Sequence, residues 1–209
     1  MKKSIVVGIT GILGSGKSTV TKILRKWKFK VISCDEIVHD LWKKKSILKK
    51  IKRILGEEII KNGKVNKKKV REIIFKDKTK KKHIEDLLHP MVFKKIEKNI
   101  FDIKKNGGII FIEIPLLFET NSEKLFDKII VVSAPQKKIK ERLMWKYSDK
   151  EIRSIWKSQL PLTFKKKKAD YIIDNSGSII QTEKKLKKIV DELLEQLKKK
   201  KGEDNGTGK

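Results

Sequence analysis

The stretch Gly8-Ile-Thr-Gly11-Ile-Leu-Gly14-Ser-Gly16-Lys17-Ser18-Thr19 decides the architecture. Within it Gly11, Gly16, Lys17 and Ser18 stand in the spacing G-x-x-x-x-G-K-S, the pattern of a phosphate-cradling P-loop. The flanks agree with it. Ser4-Ile-Val-Val-Gly-Ile9 ahead of the loop is a short apolar run of strand type. Behind it Val20, Ile23, Leu24 and Trp27 recur at i, i+3, i+4 and i+7, the stripe of an amphipathic helix. In that order of strand, glycine loop and helix, backbone N–H groups converge on phosphate oxygens and the helix N-terminus adds partial positive charge. Gly14, Ser15, Gly16, Lys17, Ser18 and Thr19 are therefore the expected cradle of a nucleoside triphosphate. Lys17 is expected to reach the β- and γ-phosphates and Ser18 to ligate Mg²⁺. A chance glycine-rich turn would lack these flanks.

The rest of the chain is built around that loop in alternating elements. Phe29-Lys-Val-Ile-Ser33 reads as a second strand running into Cys34-Asp35-Glu36, where Asp35 is expected to cap a helix. Residues 46–55 form a helix stopped by Gly56, and Lys61-Asn-Gly-Lys64 is a turn. A block of helices with no strand pattern follows. Asn66 caps one, Asp77 starts another, and His89-Pro90 opens a third that ends at Asn106-Gly-Gly108. Strand patterns return with Ile109-Ile-Phe-Ile-Glu-Ile114, apolar enough to be buried on both faces, then Lys128-Ile-Ile-Val-Val-Ser133 and Tyr171-Ile-Ile-Asp174. Helices are expected over residues 136–145, up to Leu160-Pro161, and again up to Leu197. Residues 198–209 read as a charged, disordered tail. Five strands alternating with helices predict an α/β, doubly wound, mostly parallel sheet in one domain over residues 1–197.

At 209 residues, 38% hydrophobic and 38% charged, the chain can supply one core but must leave much of each helix as a solvated face. The net charge is +28. That charge admits a nucleic-acid binder, but the cations are mostly lysines spread through every segment, and arginines, the better base readers, are scarce. A solvated lysine bias is the favoured reading, with nucleic acid held only by non-specific, charge-driven adhesion. Cys34 is the only cysteine, so no internal disulfide framework is possible and a reducing, cytoplasmic setting is expected. No apolar run approaches the ~20 residues that span a bilayer, and no signal segment precedes the first strand, so no membrane partner is expected. Oligomeric state is not legible from these residues.

Ligands on such sheets sit at the carboxyl ends of the strands. Three carboxylates fall there: Asp35, Glu113 and Asp174. Phosphoryl transfer needs an acceptor hydroxyl in line, a carboxylate to take its proton, Mg²⁺ on the phosphates and cations that follow the charge. Asp35 is the candidate base, against a plain helix cap. Glu113 is a second candidate for holding the metal or the acceptor, against a strand-end charge facing solvent. The basic stretch from Lys140 through Arg142 to Lys146 precedes a segment that could close over the nucleotide as a lid.

Taken together, these residues resemble the dephospho-coenzyme A kinase family. The pieces stand in order: the glycine loop; Val31-Ile-Ser-Cys-Asp35-Glu36-Ile-Val-His39; Leu87-Leu-His89-Pro90; Ile114-Pro-Leu-Leu-Phe-Glu119; Ala134-Pro135; Glu141-Arg-Leu-Met144; Gln159-Leu-Pro161; and Ala169-Asp-Tyr-Ile-Ile-Asp174-Asn175-Ser-Gly-Ser178. The resemblance implies a P-loop NTPase three-layer fold with a helical coenzyme A subdomain inserted over residues 62–107 and a lid over residues 142–168. It implies transfer of the ATP γ-phosphate, with Mg²⁺, to the ribose 3′-hydroxyl of dephospho-coenzyme A. Lys17, Asp35 as base and Arg142 would be catalytic, with Asn175 beside the adenine of ATP. Asp35, His89, Leu117, Phe118 and Glu119 would lie on the acceptor side, although a histidine ahead of a proline also reads as a structural hydrogen-bonder.

The chain departs from the family at several points. Ile12 stands where a second glycine is usual, Ser33 where an aspartate is, and Glu113 where the usual residue is the shorter aspartate. Lys146 replaces the lid arginine, keeping the charge but losing its bidentate fork, and the segment after it is about two residues shorter. Two alternatives remain: a P-loop kinase acting on another small metabolite such as a nucleoside monophosphate, and a nucleic-acid-stimulated ATPase.

Overall fold

The computed structural model describes residues 2–61 and 64–202, with side chains up to residue 199 in the last helix. The chain divides into two compact units, Met1–Ser33 with Asn99–Lys209, and Cys34–Lys98.

The first unit carries a five-stranded sheet in the order β2-β5-β1-β6-β7, every neighbouring pair parallel. Its strands are β1 (Ser4–Thr10), β2 (Lys30–Ser33), β5 (Gly108–Glu113), β6 (Lys128–Ser133) and β7 (Tyr171–Asp174). Parallel neighbours need crossovers: α1 (Lys17–Lys26) carries the chain from β1 to β2, and α6 (Gln136–Leu143), α7 (Asp149–Lys157) and α8 (Leu162–Lys167) carry it from β6 to β7, after which α9 (Ile179–Gly202) closes the unit. Alternation along β1 sorts its side chains. Ile5, Val7 and Ile9 face Val20, Ile23 and Leu24 of α1 and Leu186, Val190 and Leu193 of α9 in one apolar cluster. On the opposite face Leu117 and Phe126 close over Gly8, and α8 runs against β6. The chain leaves β1 for the outer strand β2, returns to β5 beside β1, then continues on β1's other side through β6. The strand order therefore reverses at β1, and the loop after β1 is the place where such sheets bind ligands.

The second unit holds α2 (Cys34–Lys43), α3 (Lys45–Leu55), α4 (Lys67–Lys76) and the start of α5 (Lys78–Asn106). Leu41, Ile47, Ile51, Leu55, Ile59 and Val70 are buried. Asn66 Oδ1 accepts from Lys69 N at 3.1 Å, capping α4, and Asp77 Oδ1 accepts from Lys80 N at 2.9 Å, at the start of α5.

Four expectations are corrected. His89-Pro90 does not open a helix; α5 runs unbroken through Pro90, because Ile84, Leu88, Val92, Ile96, Ile100 and Ile103 form one buried stripe that outweighs the missing N–H. Asp35 is not a cap, since α2 already begins at Cys34 and Asp35 lies in its first turn, where a carboxylate favours the helix dipole. The helical block contains a short antiparallel pair, β3 (Ile60–Lys61) with β4 (Lys64–Val65); the turn residues Asn62 and Gly63 lie outside the described residues. Finally, residues 198–202 are helical, since lysines are good helix formers and no breaker precedes Gly202; the rest of the expected tail lies outside the described residues. Among the described residues no helix is long and apolar enough to cross a membrane.

Candidate active site

The loop between β1 and α1 is shaped by its glycines. Gly11 has φ 148°, and a Cβ there would run into Val132 O and the Ser15 hydroxyl. Gly16, at φ 99°, is the N-cap of α1, and a Cβ on it would collide with the Asn175 amide. These two positions bring the backbone closer to its neighbours than any side chain permits. The ammonium of Lys17 is buried over the loop, donating to Gly11 O at 3.1 Å and Ile12 O at 3.2 Å. Ser15 is fully buried, and its hydroxyl has no hydrogen-bond partner among the described residues. Ser18 is exposed at the start of α1, with Thr19 half-buried behind it.

Asn175 supports the loop from beneath. Its Nδ2 donates to Ser15 O at 3.0 Å, its Oδ1 accepts from Thr182 Oγ1 at 2.9 Å, and its backbone N donates to Ser133 O at 2.7 Å. Arg142 Nη2 donates to Asn175 O at 2.8 Å, so the arginine at the end of α6 is anchored beside the same loop. Next to it, hydrogen bonds from Ser176, chiefly its hydroxyl, hold the Asp174 carboxyl below its usual range.

Glu113 ends β5 in register with Ile9 of β1 and Ser33 of β2, and it is only 6% exposed. A buried carboxylate at the carboxyl edge of the sheet is not a solvent-facing charge, so the bland reading of Glu113 is set aside. Asp35 follows two residues after Ser33 and is exposed. Hence β2, β5 and β1 end side by side on a serine, a glutamate and the glycine loop. This oxygen-rich edge, with the exposed Ser18 side chain, suits a hard cation such as Mg²⁺, which takes few protein ligands and keeps phosphate and water oxygens.

The residues after β5 are tied into the core. Leu117 is fully buried and Phe118 nearly so, its ring edge-to-face with Phe164 at 6.1 Å between centroids. Glu119 Oε1 accepts from Leu160 N at 2.9 Å and pairs with Lys165 Nζ at 2.8 Å. Lys165 is wholly buried. His89, in the other unit, is half-buried and stands edge-to-face with Phe93, 6.5 Å between centroids.

Around the glycine loop on its other flank, Ile12 joins Ala134, Ile139, Leu143 and Ile152 in an apolar cluster on which Leu13, Tyr147, Trp156 and Leu162 pack. Helix α7 is fixed at its start by a capping box between Ser148 and Glu151. Lys146 is exposed, its ammonium 5.9 Å from the Trp145 ring centre and 5.4 Å from that of Tyr147. The sequence reading missed Trp156 and Lys165 and gave Gln159 no role. Gln159 lay inside a quoted motif, whereas Lys165 sits in a run of four lysines and nothing local marks it as buried.

Comparison with known proteins agrees with this geometry. A family model described as dephospho-CoA kinase matches residues 5–181. The dephospho-CoA kinase of Aquifex aeolicus is 36% identical over 190 residues, covering 90% of this chain and 96% of that protein. Among solved structures, TT1252 from Thermus thermophilus superposes with a TM-score of 0.75 at 29% identity, over 92% of this chain and 99% of that one. The dephospho-CoA kinase from Campylobacter jejuni does so with a TM-score of 0.64 at 30% identity, over 90% and 97%.

Proposed function

The chain belongs to the dephospho-CoA kinase family, and from that premise we propose how its own residues carry the reaction. It phosphorylates dephospho-CoA at the expense of ATP, the final step of coenzyme A biosynthesis. The observation that carries the reading is the glycine loop with buried Lys17 at the carboxyl end of β1, where the strand order reverses.

Backbone N–H groups of Gly14, Ser15, Gly16, Lys17, Ser18 and Thr19 bind the ATP phosphates. The Lys17 ammonium, held over the loop by two carbonyls, moves its donors to the β- and γ-oxygens and follows negative charge onto the leaving β-phosphate. Asp35 accepts the proton of the ribose 3′-hydroxyl as the new O–P bond forms and the β–γ bridging bond breaks, releasing ADP. Arg142, anchored on Asn175 O, holds its remaining donors beside the loop. Asn175 supports the nucleotide side through Ser15, a scaffolding duty compatible with its expected place near the adenine. Ser18, with Glu113 through water, would hold Mg²⁺, which would supply charge neutralisation to the phosphates.

On the acceptor side, Glu119 and Leu117 act by fixing the loop after β5, and Phe118 presents the ring edge of that loop. His89 and the helices of residues 62–107 are assigned to coenzyme A binding, and residues 142–168, with Lys146, to the lid. A reducing cytoplasm suits the single cysteine.

Asp35→Asn tests the assignment of the base. Turnover should fall by about 10²–10⁴-fold, with the affinity for an ATP analogue nearly unchanged, because only the proton acceptor is lost. A decrease of less than about tenfold in kcat would remove Asp35 from the proton transfer.

A further inference from the structure

We propose that Gln159 is a positioning residue, the centre of a connector over residues 156–165 that fixes the donor loop and the loop after β5 relative to each other. The inference rests on the kinase reading of this site. Its first support is the treatment of Leu13. Both main-chain polar groups of this loop residue are held by side chains from one segment: Leu13 N donates to Gln159 Oε1 at 3.1 Å, and Leu13 O accepts from Trp156 Nε1 at 3.4 Å. The glycine loop is thereby clamped at a residue that its own backbone hydrogen bonds leave unsatisfied.

The second support is what the next residue does. Leu160 N donates to Glu119 Oε1 at 2.9 Å, and the same oxygen pairs with Lys165 Nζ at 2.8 Å. Lys165 continues to Pro115 O at 3.2 Å, an oxygen shared with Thr10 Oγ1 at 3.2 Å. A continuous polar chain therefore runs from Leu13 through Gln159 and Leu160 to Glu119, Lys165 and Pro115, and back to Thr10 at the end of β1. Lys165 is 0% exposed, and a buried ammonium is tolerable only with its carboxylate and carbonyl partners in place. The loop after β5 consequently cannot shift without dragging the connector, and the connector cannot shift without releasing Leu13. Trp156 and Leu162 of the connector pack on the same apolar cluster as Ile12 and Leu13, which adds an apolar fastening between connector and glycine loop.

A clamp of this kind predicts effects that cross from one substrate to the other. In calorimetric titrations of the purified full chain, Gln159→Leu should weaken a non-hydrolysable ATP analogue and, separately, dephospho-CoA, each by about three- to tenfold. Glu119→Gln, which alters only the loop after β5, should weaken the ATP analogue about threefold with no acceptor present. Gln159→Glu keeps an acceptor for Leu13 N and should restore dephospho-CoA binding, a rescue that bulk destabilisation would not give. Trp156→Phe, which removes one N–H and keeps the ring, should show the same cross-effect more weakly and serves if a harsher variant fails to fold. Variants that weaken only the ligand of their own loop, or a Glu119→Gln chain with normal affinity for the ATP analogue, would overturn the connector. If the unaltered chain does not bind dephospho-CoA, the kinase reading fails instead. The effect of Glu119→Gln on the ATP analogue then decides the connector alone.

Discussion

Ile12 stands in the loop where the family usually has a glycine, yet its side chain is 5% exposed and sealed among Ala134, Ile139, Leu143 and Ile152. This departure fastens the cradle to α6 and α7. Ile12→Gly should therefore cost about 2–4 kcal/mol in urea unfolding, through lost burial and added backbone freedom. A change below about 0.5 kcal/mol would mean that the side chain packs nothing that matters. Lys17→Ala should abolish both turnover and tight binding of an ATP analogue, and normal titration of the analogue would remove the loop from the mechanism. At this scale the sequence was informative where chemistry imposes a pattern. Glycines, Lys17 and Ser18 have a fixed spacing because phosphate oxygens do. Lys165 had no such mark: it differs from Lys166 and Lys167 only in which side of a six-residue helix it faces.

Among elements, α5 and α7 make opposite use of local chemistry. In α5, Pro90 sits exposed inside a 29-residue helix. Sequence rules place a boundary at such a proline, and here the long apolar stripe overrides them. Pro90→Ala restores a backbone donor and should raise stability by about 1–2 kcal/mol, or roughly 2–8 °C in Tm. A lower Tm would show that the proline relieves strain rather than imposing it. In α7 the local signal is obeyed, with Ser148 and Glu151 capping reciprocally. Ser148→Ala should cost about 1 kcal/mol and speed hydrogen exchange of the α7 amides selectively. Uniform exchange across the first unit would contradict a local role for the cap. The strands were legible because β5 and β6 are buried on both faces and read as continuous apolar runs. The small pair β3–β4 was not, since two residues per strand carry no periodicity.

For the whole molecule, the five parallel strands could be counted from the sequence, but their order β2-β5-β1-β6-β7 could not. Order depends on crossovers whose destinations no local pattern encodes. The +28 charge is likewise a property of the entire surface. Adsorption to random-sequence DNA should be measurable at about 50 mM salt and fall steeply by about 0.2 M, with no stimulation of ADP release. Persistent, sequence-selective binding would instead favour a nucleic-acid-dependent ATPase. The most direct test of the central claim is the initial rate of ADP release with dephospho-CoA as the acceptor, set beside AMP and a no-acceptor control. The account predicts ADP release with dephospho-CoA well above both, yielding a 3′-phosphorylated product. A rate with dephospho-CoA no higher than the control, or a higher rate with AMP, would contradict it.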